Sequence, residues 1–240
     1  MTAVCLQHTS DGPVIKRDPQ NRVRVTREPD PGELWRFTQS RLAWFENPPR
    51  GVRHLQLVHF MRSDLGDNQT ESPTQGGLTP LGRDVIAECN RLGMVVDVAH
   101  GTLALVEGAA RASRTPLILS HTNLASRRLD PFTRLISGDH GKLVASTGGV
   151  VWIWASPTFT LLAGYVDGVT RAVETLGVDH VGFGTDNSGF GQSRAVWTDY
   201  ADFPLVVQLL RRKGFSATDV GKLVGGSYVR VFNQSMPASG

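Results

Sequence analysis

From residue 51 onward, short apolar runs alternate with longer stretches in which apolar positions recur every three or four residues. The runs at 54–58, 94–98, 117–120, 150–154 and 181–185 are rich in Val, Ile and Leu and show little polar alternation. That pattern predicts parallel strands covered on both faces. Between them, "LTPLGRDVIAECNRLG" offers Thr79 as N-cap, Pro80 at the first helical position and Gly93 as the stop. Leu81, Val85, Cys89 and Leu92 there recur at helical spacing and bury one face. Further helices are predicted at 103–112, 134–146, 165–176, 199–213 and 217–224. Strands alternating with helices imply βα units and an α/β fold with a parallel sheet. A weaker strand at 3–7 makes six, and a closed (β/α)8 barrel needs eight. The expectation is therefore a TIM-barrel-like fold that is incomplete.

The first 50 residues break the pattern. "SDGPVIKRDPQNRVRVTREPDPGE" is polar and proline-rich, 33–45 suits a helix, and Pro48-Pro49 interrupts the chain. The predicted organisation is an irregular N-terminal arm over 1–50 and a barrel-like catalytic domain over 51–240.

Composition narrows the function classes. A length of 240 residues matches one α/β barrel, and 40% hydrophobic with 20% charged residues excludes a disordered or membrane-spanning chain. No apolar run approaches the roughly 18 to 20 residues a bilayer requires. The net charge of +3 is not gathered into a basic, aromatic-interleaved stripe, which argues against nucleic acid. Two cysteines, Cys5 and Cys89, make neither a disulfide framework nor a cysteine zinc motif, and "MTAVCLQHTSDG" lacks the features of a secretory signal. A soluble protein in a reducing, cytoplasmic setting is expected.

Chemistry-bearing residues gather where strands should end. His59 follows "LQLV", His100 follows "VVDVA", His121 follows "LILS" and Asp186 follows "VGFGT", while Arg128 lies in the loop after His121. In parallel α/β folds these positions face one pocket. A single such histidine is ordinarily a satisfied core or capping group. Two on successive strands, with a third and an aspartate at other strand ends, point to a metal site, and imidazole suits zinc. Asp186 would transfer a proton and Arg128 would clamp a substrate carboxylate. Other features have plainer readings. His54 and His180 sit at strand starts and are structural, and His140 is assigned to a helix surface. Trp152 and Trp154 share a strand face as core, and Gly148-Gly149 is a turn.

Together "GVRHLQLVH", "GGLTPLGRDVIAECNRLGMVVDVAH", "PLILSH", "ASRR", "TGGVV", "GVDHVGFGTD" and "GGSYVRVF" resemble, in order and spacing, the membrane (renal) dipeptidase family of zinc peptidases. The resemblance implies a barrel hydrolase that cleaves dipeptides with two zinc ions bridged by a glutamate and a hydroxide. It makes His100 and His121 ligands of one zinc, His59 a substrate and oxyanion contact, and Arg128 the carboxylate-binding arginine. Asp186 becomes the residue that binds the substrate amine and moves the proton.

The chain departs from the family at its start. None of its seven histidines is followed two positions later by an acid, so the His-x-Asp that binds the other zinc is missing. The only Glu-Gly, Glu107-Gly108, falls too late to supply the bridging glutamate. Asp11 and Glu28 of the arm are the acids that could substitute. The expectation is one well-bound zinc or fewer, and an exposed barrel edge open to self-association. Three readings follow: a zinc-dependent dipeptidase-like amide hydrolase acting on small dipeptides, impaired by its missing ligands; a non-catalytic homologue that binds small peptides; or a truncated remnant.

Overall fold

The computed structural model describes residues 3–5, 15–17, 23–25, 53–125, 134–156, 159, 161–186, 196 and 200–236. Its strands are β1 (Ala3–Cys5), β2 (Ile15–Arg17), β3 (Val23–Val25), β4 (His54–Gln56), β5 (Val95–Asp97), β6 (Leu117–Leu124), β7 (Leu135–Ile136), β8 (Val150–Trp154) and β9 (Val181–Gly184). Its helices are α1 (Pro80–Leu92), α2 (Leu103–Ala112), α3 (Gly138–Ser146), α4 (Leu162–Leu176), α5 (Phe203–Arg212), α6 (Ala217–Gly221) and α7 (Ser227–Ser235).

The helices begin where side chains satisfy their free N–H groups. Thr79 caps α1 by accepting from Gly82 N at 3.0 Å, Thr102 caps α2, Ser137 caps α3, and Ser216 with Asp219 forms a capping box on α6. Gly93 ends α1 at φ 69, a left-handed conformation that favours glycine.

The strands form one parallel sheet in the order β1-β4-β5-β6-β8-β9, with β7 beside the far end of β6. Helical residues such as Val85, Ile86, Leu105, Val144, Val169 and Leu210 pack on one face against Leu55, Val96, Leu119, Val151 and Val181. The other face starts apolar, with Val95, Ile118 and Val150 under Val231 of α7 and its neighbours Tyr228 and Phe232. Toward the strand ends the same face turns polar, through Asp97 and Ser120. The sheet also curls steeply. A Cβ at Gly184 would lie 2.2 Å from the carbonyl oxygen of Ser120, two strands away. That position excludes any larger side chain and draws the strand ends inward, as barrel curvature requires.

All five main expected strands are present, and the weak sixth is Ala3–Cys5, parallel to β4 with Ala3 opposite His54. Also among the first 50 residues, β2 and β3 form an antiparallel pair. The expected helix at 33–45 and the Pro48-Pro49 break lie outside the described residues. Two helix expectations need correction. The segment predicted as helix from 134 starts only at Gly138, because Leu135–Ile136 pairs as a strand with β6. The helix predicted to end at 224 passes instead through a π turn at Lys222–Gly226 into α7. The Gly225-Gly226 pair masked that continuation, because glycine weakens a helix pattern.

Candidate active site

His100 lies just past β5 and His121 lies within neighbouring β6, which continues to Leu124, and their Nε2 atoms are 2.8 Å apart. The His59 ring lies 4.3 Å from that of His100, centroid to centroid, and Phe60 packs edge-on against His100 at 4.7 Å. Burial drives the imidazole of His100 far below its ordinary pKa, and repulsion from Arg134, His121 and His59 adds to it. His121 is pushed down to about 4, chiefly by burial, although Asp97 pulls the other way. His59 is lowered too, by burial and then by Arg134. All three are therefore neutral at pH 7, able to ligate a metal or to donate one hydrogen bond.

One carboxylate sets the spacing of the two close histidines. Asp97, 2% exposed, accepts through Oδ1 from Ala99 N at 2.9 Å and from Ser120 N at 3.1 Å, the residues just before His100 and His121. Its Oδ2 meets His54 Nε2 at 3.1 Å. Burial alone would raise the carboxyl, but the His54 contacts and a hydrogen bond from Ser120 hold it below the usual range. His54 is thus structural, as its place at a strand start suggested. His180 likewise contacts Gly149 O through Nδ1 at 2.8 Å.

Asp186 lies just beyond β9 and borders, with His121, Trp152 and Phe183, a cavity of about 350 Å³. Burial raises its carboxyl, against the pull of Arg134. Among the described residues, only His100 (φ 67) and Asp186 (φ 46) are non-glycine residues in the left-handed region. Such strain gathers at functional sites because the surrounding structure must hold it in place. Trp154 packs 6.1 Å from His121, and Trp152 borders the cavity. The pair read as core therefore also walls the site.

The sequence reading placed a cation at Arg128, which lies outside the described residues. The structure brings in Arg134, which that reading missed. Arg134 is 3% exposed, donates through Nη2 to His121 O at 3.1 Å and through Nη1 to Gln69 Oε1, and sits over the Trp154 ring at 5.9 Å. Its Nε is buried without a partner among the described residues. Burial lowers its pKa to about 10, with Asp186 and Asp97 opposing, so it stays a cation at neutral pH.

His140 is also corrected. It is 4% exposed on α3, not on a helix surface, and its Nε2 has no partner. Burial, then Arg134, pushes it down to about 4, below its ordinary 6.5. The unfolded chain therefore binds the proton first as pH falls. The contribution of His140 is fully present above about 6.5, declines as pH drops toward 4, and is lost below that, a swing of about 3 kcal/mol. His140→Leu should flatten that part of the pH dependence in urea unfolding measured from pH 7 to 4.5.

As zinc ligands the histidines fit in part. His100 and His121 are neutral and converge through Nε2, and the Nδ1 of His121 already pairs with Ser120 Oγ at 2.9 Å, the kind of outer support ligands use. The Nδ1 of His100 has no such partner. Among the described residues no group of three or more His, Cys, Asp or Glu side chains is placed to hold a metal. Catalytic zinc keeps three protein ligands. The described residues supply a ligand pair and not a complete centre.

A family model described as membrane dipeptidase (peptidase family M19) matches residues 46–239. The chain belongs to this family. Among curated proteins, the dipeptidase aclJ of Aspergillus oryzae is 30% identical over 190 residues, covering 75% of this chain and 44% of the relative. The dipeptidase tcpJ of Claviceps purpurea is 30% identical over 192 residues, covering 77% and 45%. The chain thus spans less than half the length of these relatives. The probable dipeptidase PvdM from Pseudomonas aeruginosa aligns at TM-score 0.74 and 23% identity over 82% of this chain and 65% of that one. A metallo peptidase from Rhodobacter sphaeroides, liganded with a phosphinate mimic of L-Ala-D-Ala, aligns at TM-score 0.71 and 23% identity over 82% and 59%. The M19 chain therefore has the α/β, TIM-barrel-like fold expected from its strand pattern. No helix among the described residues is long and apolar enough to cross a membrane.

Proposed function

We propose that this M19 chain is a dipeptidase-like amide hydrolase that takes small dipeptides and holds zinc through His100 and His121. The observation that carries this reading is the convergence, at one end of the sheet, of two neutral imidazoles, a buried guanidinium and a raised carboxyl beside a cavity. Zinc bound there would supply hydroxide at neutral pH, by lowering the pKa of its water to about 7. Arg128 clamps the substrate carboxylate, and Arg134, buried beside the site, holds the carbonyl of His121. Asp186 faces the substrate amine and carries the proton to the leaving group, for which a carboxyl raised by burial is suited. Neutral His59 donates to the substrate carbonyl oxygen. The family's dipeptidases and a neighbour crystallised with a dipeptide mimic support this substrate class.

The setting in this reading is cytoplasmic, and the partners are a dipeptide or small amide and, across a sheet edge, a second copy of the chain. Two described donors, where three are needed, favour a second reading, a homologue that binds dipeptides without cleaving them. Zinc analysis of the purified chain, paired with a dipeptide hydrolysis assay, separates the two. The hydrolase predicts bound zinc and turnover, both lost in His121→Ala. Tight dipeptide binding with no turnover and well under one zinc per chain would establish the second reading.

A further inference from the structure

The cavity beside Asp186 is lined by two kinds of side chain. His121 and Asp186 border it at the strand ends, and Asp186 is the one charged side chain among its described lining residues. Its apolar wall comes from four elements: Trp152 of β8, Phe183 of β9, Phe203 of α5 and Val224 of the π turn at Lys222–Gly226.

Local structure fixes that wall. A Cβ at Gly182 would lie 2.6 Å from the Trp152 ring, so the indole rests over bare backbone that only glycine supplies. The same ring meets Tyr228 at 5.0 Å between centroids. Phe183 and Phe203 pack edge to face at 5.6 Å. Val224 is carried by the π turn, where Gly225 at φ 154 interrupts the helix, and π turns of this kind recur at functional sites.

These apolar groups are not packed away. Trp152, Phe183 and Phe203 are only partly buried, and Val224 is 38% exposed. Apolar surface around a concavity of about 350 Å³ is the setting in which a ligand's own apolar group displaces water favourably. A phenyl or branched aliphatic group fits such a space. An acidic side chain there would meet no cation in the described wall and would face Asp186.

We infer that this cavity takes the side chain of the substrate's N-terminal residue and selects an aromatic or large aliphatic one, with Phe203 and Val224 as specificity-determining residues. The inference rests on the reading in which Asp186 meets the substrate amine. Amine and side chain branch from one Cα, so an amine at Asp186 brings that side chain to the cavity Asp186 borders.

The test compares dipeptides on the full chain, by calorimetric titration or, where turnover occurs, by kcat/KM. The wild type should favour L-phenylalanyl-L-alanine over glycyl-L-alanine by about ten- to a hundredfold, the worth of burying one phenyl side chain. L-Alanyl-L-phenylalanine, with its ring on the other residue, should gain less. Phe203→Ala should reduce the preference by about tenfold. Val224→Asp sets a carboxylate in the apolar wall and should turn selectivity from L-phenylalanyl-L-alanine toward L-lysyl-L-alanine, a reversal that a general loosening of the fold would not produce. A wild type that takes L-phenylalanyl-L-alanine and glycyl-L-alanine equally, or gains as much from the ring on the C-terminal residue, would overturn the inference and leave the dipeptide reading standing. Wild-type selectivity in both variants would do the same. A chain that takes none of these peptides would overturn both together.

Discussion

Asp97→Ala should lower the unfolding free energy by about 3 to 5 kcal/mol, because each buried donor left without its acceptor costs about 1 to 3 kcal/mol. Three groups lose their acceptor at once. Ala99 N and Ser120 N are left without Asp97 Oδ1, and His54 Nε2 without Oδ2. Each sits in the interior of the sheet, where an unsatisfied donor bears its desolvation cost in full. Asp97→Asn is the informative contrast. Its side-chain oxygen can still accept from both backbone N–H groups, and its amide nitrogen can donate to His54 Nε2 once that ring takes its other neutral tautomer. The spacing of His100 and His121 is then kept, and the loss should fall below half that of alanine. Chemical denaturation of the two variants at pH 7 reads the difference directly. A loss in Asp97→Asn equal to that in Asp97→Ala would mean that the negative charge, and not the two backbone hydrogen bonds, holds this end of the sheet.

The contrast between Asp97 and Arg134 explains what could be read from the sequence. The strands were legible because burial on both faces leaves unbroken Val, Ile and Leu runs, and the histidines were legible because each closes such a run. Asp97 lies inside "VVDVA", where a lone acid in an apolar strand signals a paired buried carboxylate, yet its partners come from two other strands. No local pattern names them. Arg134 was missed for a different reason. It lies in the connection after His121, just before β7, where no periodicity marks a buried cation. His140 sits in "SGDHGKL", a short, polar helix whose sequence reads as exposed although α3 buries it. The loop between β4 and α1 did leave a trace, since Asp67 and Asn68 ahead of a Pro- and Gly-rich stretch, "DNQTESPTQGG", mark a loop ordered by side chain to backbone bonds, which Thr74 N and Thr70 N make to them. The family resemblance supplied the candidate ligands His100 and His121. Their neutrality and their meeting through Nε2 emerge only from the fold.

Arg134→Lys should lower the unfolding free energy by about 2 kcal/mol, because lysine keeps the charge and loses the fork that makes two buried hydrogen bonds. The guanidinium meets Gln69, the carbonyl of His121 and the face of Trp154 together. An ammonium group has no planar face to lay on the indole and cannot reach both oxygens at once. Chemical denaturation at pH 7 measures the loss, and a midpoint equal to that of the wild type would show that these contacts contribute nothing. Arg134→Met removes the charge as well and adds a second signature. Arg134 lowers the Asp186 carboxyl against the upward push of burial, so without the cation that carboxyl must titrate at higher pH. Any step that needs ionised Asp186 should then show its acid limb displaced upward in Arg134→Met and near its original place in Arg134→Lys. A pH profile of dipeptide binding or cleavage across the three proteins measures this. Coincident acid limbs in all three would break the electrostatic link between Arg134 and Asp186 on which the shared pocket depends.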